Sequence, residues 1–467
     1  MTVVVEKTGI LDGESIALLR MSVRGNVVTP DDADYDAARA VYNGMIDKRP
    51  ALIVQAVDVA DVMAAVQFAG ERDLPICVRG GGHNAAGLGT CDDGLVIDLG
   101  RMNAVHVNPN TRRVLVEGGA TWGDVDHATQ PFGLAVPAGI ISTTGVGGLT
   151  LGGGFGYLSR KHGLTLDNLL TADMVLADGS FVTVSATERP DLFWAIRGGG
   201  GNFGVVTAFE FQAHEVGNVF AGVLFYEVEK SKQLMELYRD FIETAPRELG
   251  LFFGTIFTPE APFLPVEHHN KQMGKIVFCF NGPEAEGRAI IEPFLAVGPS
   301  AEFAGEFPFA TWNSAFDAMF PAGRQDYWKA DYITELTDEM IEIHLEHGHK
   351  MPNAASIMHI YSLNGAIQDV ARTETAYSHR DAKFVHVILM TDDDADRMQE
   401  NIAFARMYWD ALHPLSSGGG YVNMMMDEGV DRVKAVYREN YPQLQRIKAI
   451  YDPNNRFSVN QNITPKL

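Results

Sequence analysis

Residues 137–156 read PAGIISTTGVGGLTLGGGFG and place seven glycines between positions 139 and 154. Helices and ordinary strands do not tolerate that density, because glycine loses more conformational freedom on ordering than any other residue. A long flexible loop is one interpretation of the stretch. The apolar residues between the glycines favour the other, an ordered surface that lets a large flat ligand come close to the backbone.

A second glycine run, RGGGHN at residues 79–84, follows a predicted strand at 75–78. Backbone N–H groups that no side chain covers suit a pyrophosphate. A lone histidine is in general a packing or surface residue, but His83 directly follows three glycines and is therefore held close to whatever they bind. The ligand-binding candidates of this run are Arg79, Gly80, Gly81, Gly82, His83 and Asn84.

A third run, RGGGGNFG at residues 197–204, contains a formal GxGxxG match. A Rossmann nucleotide site needs a strand before this motif and a helix after it. Here a predicted helix, PDLFWAI, precedes the motif, and a predicted strand, VVTAFEF, follows it. The order of elements therefore excludes the NAD interpretation.

Composition narrows the class of protein further. The net charge of -23 disfavours nucleic acid and anionic lipid as partners. No apolar run approaches the ~20 residues of a membrane span, and residues 1–15 lack a signal-peptide pattern, so we expect a cytoplasmic protein. The three cysteines include no CxxC pair, so we expect no disulfide framework. We predict no metal site.

The hydrophobic pattern changes at about residue 217. Before it, short strands and helices alternate, beginning with a strand at 51–57 and a helix that Asp58 caps. After it, we predict an antiparallel sheet with amphipathic helices on one face. Its long alternating strands lie at 219–229, 249–257, 275–282, 356–365 and 384–391. A single helix is predicted over about 429–449.

The motifs together resemble a known family. They are RGGGHN, GVGG…LGGGFGYLSRKHGLTLDNL, ADGS, DLFWAIRGGGGNFGVVT and YDPNNRF. Over nearly the whole chain they are similar to the berberine bridge enzyme-type FAD-linked oxidases of the vanillyl-alcohol oxidase/PCMH superfamily. The resemblance implies a two-domain α+β fold. Residues 1–215 and 418–467 would form the FAD-binding domain, and 216–417 an inserted substrate domain whose antiparallel sheet roofs the flavin.

By the same resemblance, His83 would bond the 8α carbon of the flavin. Many relatives carry a second link through a cysteine, but Ile141 stands at that position here, so we expect a single covalent link. Cys91 is off the motif and is interpreted as structural. The further FAD contacts that the resemblance implies are Gly139, Ser142, Thr143, Gly145, Gly148, Gly153, Val206, Tyr421 and Asn423.

The family's catalytic tyrosine after the Tyr-x-Asn motif is replaced by Met424, whose thioether cannot take a proton. Strand alternation puts His359 and Tyr361 on one face of 356–365. In the stretch DYWKADYI at residues 326–333, the same alternation puts Tyr327, Lys329 and Asp331 on one face. We therefore expect His359, Tyr361 or Tyr327 to accept the substrate proton. A tyrosine has an ordinary pKa near ~10 and would need a cation such as Lys329.

The sequence thus predicts an FAD-dependent oxidoreductase that takes a hydride from a small organic substrate and passes electrons to O2. An alcohol, sugar or natural-product hydroxyl is the first expectation, and a nitrogen heterocycle of the hydroxynicotine kind the second. Thr144, just before GVGG, stands where relatives have a small oxygen-gating residue, so a dehydrogenase stays an alternative. A flavin-binding paralogue with little turnover is the rival from another class. Fold alone cannot choose among these.

Overall fold

The computed structural model describes residues 11–467. The expectation that residues 1–15 form no signal peptide rests mainly on residues 1–10, which lie outside the described part. None of the helices between residues 11 and 467 is long and apolar enough to cross a membrane.

The first part of the described chain forms two small sheets. The first contains β1 (Asn26–Val28), β2 (Leu52–Gln55), β3 (Ile76–Arg79) and β4 (Leu95–Asp98), in the order β1-β2-β4-β3. The strands β2, β4 and β3 are parallel neighbours, while β1 pairs antiparallel with β2. This is the predicted β–α–β start, and it aims the carboxyl end of β3 at the RGGGHN run.

The second sheet is antiparallel, in the order β5-β6-β10-β8-β9, and a two-stranded ribbon of β7 and β11 accompanies it. The hairpin predicted at 171–186 is confirmed. These strands are β5 (Val105–Asn108), β6 (Arg113–Glu117), β7 (Leu134–Ala135), β8 (Leu169–Val175), β9 (Phe181–Ser185), β10 (Val205–Gln212) and β11 (His214–Glu215).

The first part of the chain contains seven helices among the described residues, and one of them lies in the glycine-rich stretch 137–156, where no helix was expected. They are α1 (Gly13–Ser22), α2 (Tyr35–Arg39), α3 (Val59–Arg72), α4 (Trp122–Thr129), α5 (Val146–Gly152), α6 (Ser159–His162) and α7 (Pro190–Ile196). Asp58 caps α3 as predicted, accepting from the backbone N–H of Asp61. The expectation that no helix forms within 139–154 is wrong for α5. Val146 and Thr150 are fully buried, and such tertiary packing outweighs glycine's low helix propensity.

After residue 217 the chain builds one large sheet. Its strands are β12 (Asn218–Glu227), β13 (Leu249–Phe257), β14 (Gln272–Phe280), β15 (Ala301–Pro308), β16 (Gln325–Ile333), β17 (Ile357–Ser362) and β18 (Phe384–Asp392). They lie in the order β15-β12-β14-β13-β17-β18-β16, and every neighbouring pair is antiparallel. The predicted antiparallel sheet is confirmed. The strand β15 was not predicted, because its mostly exposed surface carries glutamates and shows no apolar alternation.

Alternate residues of this sheet belong to two different cores. One face packs under helices and holds side chains such as Phe253, Ile276 and Met358. The other face packs against the first part of the chain, with Phe252, Val277 and Tyr361 beside Phe155. The helices of this part are α8 (Ser231–Ile242), α9 (Glu284–Ile290), α10 (Glu292–Ala296), α11 (Phe309–Asn313), α12 (Asp338–Gly348) and α13 (Ala395–Leu412).

The C-terminal segment returns to the first core. It forms α14 (Val430–Tyr437) and α15 (Tyr441–Tyr451), and Val433, Leu444 and Ile463 pack with the strands of the second sheet. The single helix predicted over 429–449 is wrong, because Arg438 adopts a left-handed φ of 46° and ends the first helix.

A buried ion pair fixes this return. Lys448 Nζ lies 2.7 Å from Asp452 Oδ2, and both side chains are fully buried. The ammonium also donates to the carbonyl of Asn202, in the third glycine run, and to that of Phe457. The YDPNNRF motif therefore anchors the tail to a glycine loop.

We expect Asp452→Asn to lower the free energy of unfolding by about 3 kcal/mol, because it leaves the buried ammonium of Lys448 without its counter-charge. Denaturant unfolding followed by tryptophan fluorescence measures the change. The matched control is Asp431→Asn, which breaks the exposed pair with Lys434 and should change nothing measurable. Equal loss in both variants would contradict this account of the tail.

Candidate active site

The first two glycine runs meet backbone to backbone. A β-carbon on Gly81 would lie 2.5 Å from the backbone nitrogen of Gly145, so only glycine permits this approach. The start of α4 holds the stretch 137–156 in place, since Trp122 N donates to Thr144 O and Val146 N to Ala120 O. The contact fixes the loop after β3 against the loop before α5.

His83 lies at this junction. Its Nε2 is 3.1 Å from Thr143 Oγ1, and its ring stacks on Tyr42 with centroids 4.0 Å apart. Burial lowers the pKa of His83 to about 4. The imidazole is therefore neutral at physiological pH and keeps a lone pair with which it can bond to carbon.

A long cavity begins at His83 and runs between the glycine loops and the large sheet. It encloses about 2060 Å³ that protein atoms do not fill, open mouth included. Val206 and Leu99 give it apolar walls. A β-carbon on Gly148 would meet no atom within 4 Å, so this backbone faces open space. Of the predicted FAD contacts, the structure places these on the wall: Arg79, Gly80, Gly81, Gly82, His83, Asn84, Gly139, Gly145, Gly148, Val206, Tyr421 and Asn423.

Three predicted contacts lie off the wall. The backbone N–H and hydroxyl of Ser142 both donate to Asp317, so its polar groups are already used. Thr143 reaches the site through its contact with His83. Gly153 packs behind the rings of Tyr421 and Tyr377.

Arg79 and Cys91 have structural roles in this region. The guanidinium of Arg79 pairs with Asp98 at 2.8 Å and donates to the carbonyls of Ala38 and Ala40. It therefore fixes the N-terminal loop and turns its charge away from the cavity. Cys91 is buried beside Cys77 and is not part of the cavity wall.

The Tyr-x-Asn pair ties the C-terminal segment to the glycine stretch. The hydroxyl of Tyr421 accepts from Gly154 N at 2.8 Å and from Asn423 Nδ2 at 2.9 Å. Asn423 Nδ2 also donates to Leu149 O. Burial raises the pKa of Tyr421 to about 12, so this tyrosine stays a neutral structural group.

The large sheet closes the far side of the cavity with β17. Ile357, His359 and Tyr361 project from it into the cavity. Tyr361 OH and His359 Nδ1 are 2.7 Å apart and form a hydrogen-bonded dyad. Burial raises the pKa of Tyr361 and lowers that of His359, so both are neutral. Surrounding walls are apolar or aromatic: Ile140, Phe155, Phe320, Trp328, Val387 and Met424.

The structure does not bring Tyr327 to this dyad. Tyr327 lies on the helix-covered face of β16, where Arg406 Nε donates to its hydroxyl at 3.1 Å. Lys329 on the same face pairs with Glu428 at 3.1 Å and cannot support a cavity tyrosine. Because both faces of β16 are covered, alternation alone could not tell which one meets the cavity. The adjacent Trp328 does.

Several wall residues were not predicted as site residues. Tyr42 stands alone in the sequence, and nothing marks it as a partner of His83, whereas Phe155 lies within the stretch 137–156 as one of its apolar residues. Others carried a signal, because Gly200, Gly201 and Gly204 belong to the third glycine run. Asn460 and Gln461 lie three and four residues after the end of the YDPNNRF motif.

The residues present fit FAD. Glycine backbone without side chains offers N–H groups to a pyrophosphate. Apolar walls suit a flat ring, and a neutral imidazole stands at one end. Two family sequence patterns match the chain: "FAD binding domain" over residues 50–185, and "Berberine and berberine like" over residues 420–464. Fold, cavity and these patterns define an FAD-linked oxidoreductase with the vanillyl-alcohol oxidase/PCMH-type fold.

Comparison with known proteins gives the family. An uncharacterised FAD-linked oxidoreductase of Bacillus subtilis is 31% identical over 96% of this chain and 98% of its own. The (R)-6-hydroxynicotine oxidase of Paenarthrobacter nicotinovorans is 29% identical over 96% and 98%. The solved glucooligosaccharide oxidase of Acremonium strictum superposes with a TM-score of 0.85 at 25% identity, over 97% and 98%. The chain belongs to the berberine bridge enzyme-like FAD-linked oxidases.

We expect Gly145→Ala to abolish flavin incorporation, because its β-carbon would collide with the backbone of Gly81. The ratio of visible to ultraviolet absorbance of the purified protein measures flavin content. Gly13→Ala is the matched control, since a β-carbon there meets nothing within 4 Å. Full flavin content in Gly145→Ala would show that the two loops need not touch.

Proposed function

We propose that the protein is an FAD-dependent oxidase in which residues 1–215 and 418–467 hold the flavin and 216–417 bind the substrate. The observation that carries the proposal is the Tyr361–His359 dyad, which faces the flavin-sized cavity from the opposite wall. FAD, when bound, supplies the acceptor for a hydride from a substrate C–H bond. O2 is the proposed final electron acceptor.

A covalent link through His83 is part of the proposal. Its ring is clamped between Tyr42 and Thr143, and burial keeps it neutral. Bonding to an electron-withdrawing imidazole raises the reduction potential of a flavin and fixes its ring. Ile141 lines the cavity where many relatives have a second attachment residue, and its side chain cannot form a bond.

The dyad would handle the substrate proton. Tyr361 is neutral, so as its oxygen accepts the substrate O–H or N–H proton it must release its own proton. His359 Nδ1 lies 2.7 Å away and can take it. Phe155 packs on Tyr361 with ring centroids 5.4 Å apart and helps to exclude water from this step.

The residues that line the cavity indicate which class of substrate it can bind. Around the dyad they are apolar or aromatic, and none of the wall residues that the structure describes is a carboxylate. This lining favours a natural-product alcohol or an aromatic hydroxyl compound over a sugar, which needs many polar partners. It also supports the second candidate, a hydroxylated nitrogen heterocycle of the kind that the hydroxynicotine oxidase is named for. Thr144 in the wall is the size of valine but polar, which favours O2 as the acceptor and keeps a dehydrogenase as the alternative.

We expect the yellow colour of the wild type to stay with the acid-precipitated protein, and that of His83→Ala to be released or absent. The absorption spectrum of pellet and supernatant measures this. Flavin released from the wild type would mean non-covalent binding, a lower potential and a stronger case for a dehydrogenase. Colour retained in the His83→Ala pellet would mean a second attachment residue.

We expect Tyr361→Phe to slow anaerobic flavin reduction by about a hundred-fold, the usual scale of proton-transfer catalysis. Stopped-flow absorbance measures the rate with the best donor from a panel of aromatic alcohols, hydroxylated pyridines and sugars. Tyr327→Phe, on the opposite face of the sheet, is the matched control and should keep the wild-type rate. An unchanged rate in Tyr361→Phe would remove the dyad from the chemistry. No reduction by any donor would favour the non-enzymatic paralogue.

A further inference from the structure

Lys275 is a buried lysine that has no role in the proton transfer between Tyr361 and His359. It projects from β14 toward the cavity side of the sheet and is 4% exposed. No described residue forms a hydrogen bond or ion pair with its amine, whose nearest aromatic neighbour is Phe316 with its centroid 5.7 Å away. Buried lysines are almost always paired, so a lysine left unpaired is unusual.

Lys275 lies in one row with His359 across the sheet. Lys275 pairs in register with Gly254 of β13, and Gly254 pairs with His359 of β17. A β-carbon on Gly254 would lie 3.0 Å from Lys275 Cε and 2.5 Å from His359 Cδ2. The missing side chain at Gly254 is therefore what lets the lysine and the histidine approach each other.

His359 has one nitrogen free for such a neighbour. Its Nδ1 bonds to Tyr361, whereas its Nε2 is buried and has no hydrogen-bond partner among the described residues. A buried polar nitrogen without a hydrogen-bond partner lowers the stability of the fold, so its presence calls for an explanation. Tyr361 is therefore hydrogen-bonded to His359, and the space left by Gly254 separates His359 from Lys275.

Among residues 11–467, no carboxylate forms an ion pair with Lys275, and burial is the one influence on its pKa. Tyr157 and Cys279 are titratable groups of the core cluster on this face of the sheet. Burial raises the pKa of both, so both are neutral. Burial alone lowers the pKa of Lys275 to about 7. Its amine is therefore available in the uncharged form, able to accept a proton, at and above neutral pH.

We propose that Lys275 is the terminal proton acceptor of a relay that runs from the substrate through Tyr361 and His359. This rests on the proposed function, in which Tyr361 takes the substrate proton. The substrate O–H proton moves to Tyr361 O, the Tyr361 proton to His359 Nδ1, and the His359 Nε2 proton to the Lys275 amine. One proton leaves the substrate, and one ammonium forms at Lys275.

The relay prevents a buried positive charge from remaining on His359. Without an acceptor at Nε2, the step would leave an imidazolium in a site where burial opposes its charge. The two nitrogens are not hydrogen-bonded in this structure. The four-carbon stem of the lysine is flexible and lets the amine approach Nε2 over the gap at Gly254.

The first test is the pH profile of anaerobic flavin reduction, with the best donor of the same panel. In the wild type we expect the rate to rise with pH through an apparent pKa of about 7, where Lys275 loses its proton. Lys275→Met should be slower by about ten-fold or more and lose this step. Lys275→Arg should stay slow at every pH, because its guanidinium cannot accept a proton. The matched control Lys329→Met, on the opposite face, should keep the step.

The second test needs no substrate. NMR of the flavin-loaded protein with ¹³C-labelled lysine should show one lysine titrating near pH 7, and that signal should be absent from Lys275→Met. A lysine with a lowered pKa destabilises the fold below that pKa, and the loss is relieved as pH rises toward its ordinary value of 10.5. Lys275→Met should therefore melt above the wild type at pH 7, with a smaller difference at pH 10.

The outcomes separate the two proposals. If Tyr361→Phe is slow but Lys275→Met keeps the wild-type rate and pH profile, the relay is wrong and the dyad stands. If no lysine titrates below pH 9, the relay is wrong irrespective of any donor. If Lys275 titrates near 7 but no donor of the panel reduces the flavin, the proposed function fails, and the relay fails with it.

Discussion

The contact between Gly81 and Gly145 is the constraint on which the site depends. It joins the end of a parallel strand in the first sheet to the start of α5, and each backbone occupies the space that a β-carbon of the other would need. Because the loops touch there, His83 is held beside Thr143, and the cavity opens from that point. The C-terminal segment then secures the arrangement through Tyr421 and the buried Lys448–Asp452 pair.

Burial favours the neutral form of the titratable groups in and beside the cavity. It lowers the pKa of His83, His359 and Lys275 and raises that of Tyr361 and Tyr421. Each of these groups is therefore neutral or close to it near physiological pH. Apart from Arg79, whose guanidinium is paired with Asp98, no described wall residue carries a fixed charge. The destination of the proton that accompanies hydride transfer is therefore the main chemical question.

Most of the residues that the glycine runs predicted as ligand contacts line the cavity, because glycine runs mark backbone that can come close to a ligand. The sequence predicted β17 correctly as well, since His359 and Tyr361 share a face that meets the cavity. The same alternation failed at Tyr327, because two covered faces give a strand no polar side from which to choose. Tyr42 and Lys275 reach the site only through long-range packing, and no local pattern marks such residues.

Local propensity also failed where tertiary packing overrode it. The helix α5 forms in a glycine-rich stretch because its apolar residues are buried, and the helix predicted over 429–449 breaks at Arg438, whose left-handed backbone the sequence did not reveal. Both deviations lie beside the cavity. They position Gly145 on one side and the C-terminal tail on the other.

A crystal structure of the flavin-loaded protein would test the central claim most directly. The account predicts electron density continuous from His83 to the flavin ring, with the ring between the Gly145 loop and β17 and the Tyr361 hydroxyl facing it. A flavin in the opposite orientation, with its adenine under β17 and no bond to His83, would contradict both the attachment and the chemistry assigned to the dyad.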